Sequence, residues 1–110
     1  MFVPVKPHQA EELIASGSVE VVDVREVVEW QRGHIAGARP VTLAELRADR
    51  GGNLLPRDGV LFVCAGGVRS QTAARIAVEL GLKRVYSLVG GTQSWGKAGL
   101  PLVTELSVAV

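Results

Sequence analysis

Short apolar runs alternate with stretches of helical periodicity along the whole chain. Val3 to Val5 suggests a short first strand. Pro7 to Ala15 has a helical pattern, with Leu13 and Ile14 turned inward and Gly17 past its end. Val19 to Val24 is rich in β-branched residues and predicts a strand. Glu26 to Arg32 makes two helical turns stopped by Gly33, and Ala38 to Val41 fits another short strand. Thr42 opens the next helix, because Thr42 and Glu45 have the spacing of a reciprocal capping box; Gly51-Gly52-Asn53 closes it. Val60 to Val63 is apolar throughout, as in parallel strands covered on both faces. Ser70 to Leu80 is the clearest helix: Ala73, Ile76, Ala77 and Leu80 recur at helical spacing, and Gly81 follows as a stop. Val85 to Val89 predicts a last strand, and Thr92 to Ala98 a last helix closed by Gly99 and Pro101. This alternation implies an α/β fold in three layers: a mostly parallel sheet of about five strands with helices on both faces. Leu102 to Val110 is an apolar tail that packs either on the body or on another subunit; the pattern does not place it.

Composition narrows the function classes. A chain of 110 residues with 47% hydrophobic content is one domain with a real core. Twelve basic and 11 acidic residues leave a net charge of +1, and the arginines are scattered, which argues against a nucleic-acid footprint. The start, Met1 to Pro7, lacks a basic region followed by an apolar signal core. No apolar stretch approaches the ~18 residues that would span a bilayer, so no membrane is expected. One cysteine excludes an internal disulfide and fits a reducing compartment, so a soluble cytoplasmic protein is expected. Cys64, His8 and His34 are too few to suggest a metal centre, and no cofactor is expected.

The one cysteine holds the main chemical signal. Cys64 ends the Val60 to Val63 strand, and Ala65-Gly66-Gly67-Val68-Arg69-Ser70 leads from it into a helix. Ligands of open α/β sheets bind outside the carboxyl ends of the strands, where Cys64 is placed. Gly66 and Gly67 remove side chains that would crowd the loop, so successive N–H groups can turn inward as a nest. The following helix contributes its positive end, and Arg69 a full charge. All three favour a nucleophilic thiolate at Cys64. The competing reading is a small buried residue that finishes a strand, as most free cysteines do. The glycine pair and Arg69 favour reactivity, because a structural thiol needs neither.

Cys64-Ala65-Gly66-Gly67-Val68-Arg69 resembles the Cys-x-x-Gly-x-Arg loop of single-domain rhodaneses, thiosulfate sulfurtransferase-like proteins. Val22-Asp23-Val24-Arg25-Glu26, Glu29-Trp30 and Gly33 to Ala38 are similar to the N-terminal signature of that family. Val89-Gly90-Gly91-Thr92-Gln93-Ser94-Trp95 is similar to its C-terminal one. The resemblance spans residues 22 to 95 in the right order and implies a rhodanese-like fold. It implies a cysteine that takes the outer sulfur of a donor, becomes a persulfide, and passes that sulfur to cyanide or a thiol. The donor would be a small sulfur-containing anion or a protein persulfide. Amides after Cys64 can stabilise the persulfide charge without a side-chain acid. With Arg69 the only loop cation, thiosulfate is expected to be a poor donor beside a protein persulfide.

The same fold hosts phosphatases and arsenate reductases, and these are the rival enzyme reading. Four residues separate Cys64 from Arg69, a six-residue loop, whereas the phosphatase-like members have one residue more. A non-catalytic binding module is the third reading; such modules often lack the cysteine. Asp23 and Arg25 stand where a strand ends. They either border the pocket or pair with each other to fix the loop. His34 is a titrating switch or a structural group bonded to loop backbone. Trp30 and Trp95 read as core or rim packing, and Gly90-Gly91 as a tight strand-to-helix turn.

Overall fold

The computed structural model describes residues 1–49, 53–55 and 58–104. Five strands, β1 (Val3–Val5), β2 (Glu20–Asp23), β3 (Arg39–Pro40), β4 (Val60–Val63) and β5 (Val85–Leu88), form one sheet in the order β1-β5-β4-β2-β3. Every pairing is parallel, so the sheet is wholly rather than mostly parallel. Five helices connect or follow the strands: α1 (Pro7–Ala15), α2 (Val27–Arg32), α3 (Leu43–Ala48), α4 (Val68–Glu79) and α5 (Gly91–Lys97).

Strand periodicity divides the core into two halves. Val60, Phe62 and Cys64 point to the face covered by α3 and α4, where they meet Leu46, Ala73, Ala74 and Ala77. Leu61 and Val63 point to the other face, against Ala10 of α1 and Trp95 of α5. β4 is therefore apolar on both sides because both sides are covered. Leu13 and Ile14 pack against the second half as their pattern predicts.

Three expectations shift. α4 begins at Val68, not Ser70, because Gly67 turns the chain in the left-handed region (φ +98°) and the helix starts directly after it. Leu80 is not an inward residue; it is the C-cap of α4 and 38% exposed. α3 ends at Ala48 with Asp49 as its cap, and the Gly51-Gly52 stop lies outside the described residues. The Thr42–Glu45 capping box is present in both directions, at 3.1 and 3.0 Å.

The strand order also fixes where a site can form. The chain leaves β2 toward β3 at one edge and leaves β4 toward β5 on the opposite side. β2 and β4 are neighbours, so their carboxyl-end loops diverge and open a crevice between them, the switch point of an open α/β sheet.

Candidate active site

Cys64 is placed by strand parity. It is in phase with Val60 and Phe62, so its side chain turns to the α4 face, where that helix begins. The sulfur is held by backbone donors: the Gly67 N–H at 3.1 Å and the Ser70 N–H at 3.3 Å. The first N–H groups of a helix have no intrahelical acceptor, so the first turn of α4 is free to donate in this way. The residue is 1% exposed. Burial alone would fit a structural cysteine. Two amides aimed at the sulfur do not, since a thiol in an apolar core receives no such donors.

A hydroxyl pair lies beneath the sulfur. Ser70 Oγ is 3.6 Å from Cys64 Sγ, donates to the Gly67 carbonyl at 3.2 Å, and lies 2.9 Å from Ser87 Oγ. Both serines are buried. Ser87 reaches this place because β5 alternates: Val85 and Ser87 face α4, while Tyr86 and Leu88 face away. Sequence reasoning missed Ser87. Its signal was a polar residue inside an apolar strand, which needs a partner.

Asp23 and Arg25 form the predicted pair. Arg25 Nε donates to Asp23 Oδ1 at 3.0 Å and Nη2 to Oδ2 at 2.8 Å. Nη2 also donates to the Gly33 carbonyl at 2.7 Å, tying the end of β2 to the end of α2. Both residues are buried, and Asp23 Oδ1 takes the Arg25 N–H as well. The pair is thus a brace under the crevice.

Arg69 binds Glu29 of α2. Nη1 donates to Oε1 at 2.8 Å and Nη2 to Oε2 at 3.1 Å. The Arg69 hydrogen bonds hold the Glu29 carboxyl well below its ordinary value of 4.5, at about 2. The carboxylate in turn pushes the guanidinium further up. Glu29 Oε1 also accepts the N–H of Glu26, the N-cap of α2, at 3.0 Å. A cleft of about 310 Å³ adjoins this pair, lined by Arg25, Glu29, Arg32, Gly33 and Leu102. No local pattern linked Glu29 to Arg69, because the contact spans 40 residues and exists only through the sheet order.

The remaining motifs support the loop. Gly91 (φ +60°) lies so close to it that an added Cβ would come within 2.2 Å of the Cys64 carbonyl oxygen. The Thr92 and Gln93 N–H groups donate to the Cys64 and Ala65 carbonyls at 2.8 and 3.1 Å. An added Cβ at Gly67 would meet the Gly90 nitrogen at 2.9 Å, whereas at Gly66 the nearest atom is Gln93 Oε1 at 3.8 Å. Gly67 is therefore sterically required and Gly66 is not, a correction to the reading that gave both glycines one role. Val68 is exposed on the loop's outer side. His34 is buried, stacked on Trp30 at 3.8 Å, with Nδ1 2.8 Å from the Trp30 carbonyl. Trp95 is buried and donates to the Pro101 carbonyl at 2.9 Å. Val103 bridges His34 in antiparallel fashion, which places the start of the apolar tail beside α2. Residues 105–110 lie outside the described residues.

Among the described residues no three His, Cys, Asp or Glu side chains are grouped to hold a metal ion, and no helix is long and apolar enough to cross a membrane.

Comparison with known proteins agrees with this geometry. The family model described as "Rhodanese-like domain" matches residues 6–98. The thiosulfate sulfurtransferase GlpE of Actinobacillus pleuropneumoniae serotype 3 is 33% identical over 107 residues, covering 94% of each chain. The crystal structure of a rhodanese-related protein from Thermoplasma volcanium superposes with a TM-score of 0.84 at 33% identity, over 94% of this chain and all of that one. A protein from Rhodopseudomonas palustris, described as a possible tyrosine phosphatase, gives 0.79 at 32% identity, over 93% of this chain and 85% of that one.

Proposed function

This chain belongs to the rhodanese-like domain family, and from that premise we propose that it is a sulfurtransferase working through a persulfide on Cys64. The observation that carries the proposal is the pair of N–H groups, from Gly67 and Ser70, directed at the Cys64 sulfur. Fixed amides at that point stabilise negative charge on sulfur without a base or a metal.

The chemistry runs in two displacements. The Cys64 thiolate attacks the outer sulfur of thiosulfate. The bond between the two donor sulfurs breaks, and sulfite leaves with its electron pair. The product is a persulfide anion whose outer sulfur lies in the ring of residues Ala65 to Ser70. Cyanide or a thiolate then attacks that outer sulfur, the persulfide bond breaks, and Cys64 returns as thiolate. The loop amides offset the charge in both steps. Asp23 and Arg25 hold the crevice rather than touch the donor, which agrees with their burial against each other.

A phosphatase reading draws on the Rhodopseudomonas palustris protein. Against it stand the six-residue loop, a small ring for a tetrahedral oxyanion, and an Arg69 fork already occupied by Glu29. The test is Cys64→Ser. Thiosulfate:cyanide turnover is expected to fall by ~1000-fold or more, with stability lowered by no more than ~1–2 kcal/mol. A variant that keeps most of the parental turnover would remove Cys64 as the nucleophile.

A further inference from the structure

Arg69 is the only charged side chain of the loop, and its binding fork is taken. Both terminal nitrogens donate to Glu29, one to each carboxylate oxygen. This fork-to-fork geometry is the one by which a guanidinium grips a sulfonate or phosphate. The same two donors cannot serve two anions at full strength. Each partner is about one-third exposed (35% and 30%), so the pair stands at a water-facing side of the crevice, within reach of an anion from solvent. The other nearby arginine with a buried head, Arg25, is likewise spent on a carboxylate, that of Asp23. These two arginines and two carboxylates thus stand in matched pairs, with no net charge from the four, and the exposed Arg32 lines the cleft beside them.

We propose that Glu29 is a specificity-determining residue: a built-in anion that competes with the donor for Arg69 and so disfavours donors bearing a dianionic oxyanion group. A donor whose outer sulfur is carried on a thiol, an alkyl persulfide, needs no guanidinium fork and escapes this competition. Its step balances in the same way. The Cys64 thiolate takes the outer sulfur, and the thiol leaves as thiolate and is protonated by water. This inference rests on the sulfurtransferase reading and adds the donor class that the site prefers.

The test is Glu29→Gln. Glutamine is isosteric, and it serves as well as glutamate in a capping box, so the Glu26 N–H keeps its acceptor and α2 its start. Only the charge on Arg69 is released. The KM for thiosulfate is expected to fall ~3- to 10-fold with kcat changed less than ~2-fold. The KM for 2-hydroxyethyl persulfide should stay within ~2-fold. Glu29→Asp, which keeps the charge, should keep a thiosulfate KM nearer the parent. An unchanged or higher thiosulfate KM in a folded Glu29→Gln variant, assayed below its own melting transition, would overturn the inference. So would a fall in kcat, which would make Glu29 the group that aims Arg69, or an equal KM drop in Glu29→Asp. Failure of the underlying reading is separate: neither parent nor variant would then acquire a sulfur on Cys64 from either donor.

Discussion

Asp23 and Arg25 bury two opposite charges at the end of β2, satisfied by each other, by the Arg25 N–H and by the Gly33 carbonyl. Removing one partner leaves the other charged and dry. Asp23→Ala is therefore expected to cost about 3–5 kcal/mol, read from urea unfolding. A loss under ~1 kcal/mol would show that water reaches Arg25 and that the pair braces nothing. This pairing was legible because Asp23 and Arg25 are two residues apart on one strand end. Cys64 was legible for a similar reason: its strand, loop and helix are contiguous in sequence. Ser87 and Glu29 were not. Each meets the loop only through tertiary placement, Ser87 by the phase of β5 and Glu29 by the adjacency of β2 and β4. Gly66 was over-read, since its sequence neighbours cannot show that a Cβ there would meet nothing closer than Gln93 Oε1 at 3.8 Å.

At the scale of elements, the Cys64 loop is held between the start of α4 and the turn from β5 into α5. Gly91 joins them, and its left-handed backbone lies against the Cys64 and Ala65 carbonyls. Gly91→Ala must overcome both a strained φ and contact with backbone that has nowhere to go. It is expected to destabilise the protein by ~2 kcal/mol or more and to slow sulfur transfer by ~10-fold or more. Gly66→Ala is the contrast: it should fold within ~1 kcal/mol of the parent, at the ordinary helix- or loop-glycine scale. Equal effects from the two would mean that the approach of α5 does not shape the loop. Element identities were readable from periodicity, but boundaries near the site were not. Val68 and Arg69 looked like loop residues in sequence, yet the left-handed turn at Gly67 makes them the first turn of α4. That difference has a chemical consequence, because it turns the unbonded amides of α4 toward the sulfur.

For the whole molecule, sheet order brings the loops after β2 and β4 to one crevice, and the charges that meet there set an acid limit to stability. Glu29 has a folded pKa of about 2 against an ordinary 4.5, so its contribution is complete above 4.5 and is lost as pH falls from there through about 2. Asp58, lowered by the Arg84 N–H and by Gly59, acts in the same direction. The urea midpoint should drop across that window, and drop less in Glu29→Gln; equal drops would place the acid sensitivity elsewhere. The layered α/β architecture was legible because alternating runs of strand and helix admit few topologies. The order β1-β5-β4-β2-β3 was not, since periodicity says nothing about which parallel strands are neighbours. The central claim, that this architecture exists to carry sulfur on Cys64, meets its most direct test in the mass of the intact protein. After thiosulfate or an alkyl persulfide and removal of excess donor, the parent should gain the mass of one sulfur atom. Cyanide should then remove it, and Cys64→Ser should never acquire it. A folded parent that gains no sulfur from either donor, or a Cys64→Ser variant that gains it equally, would contradict the account.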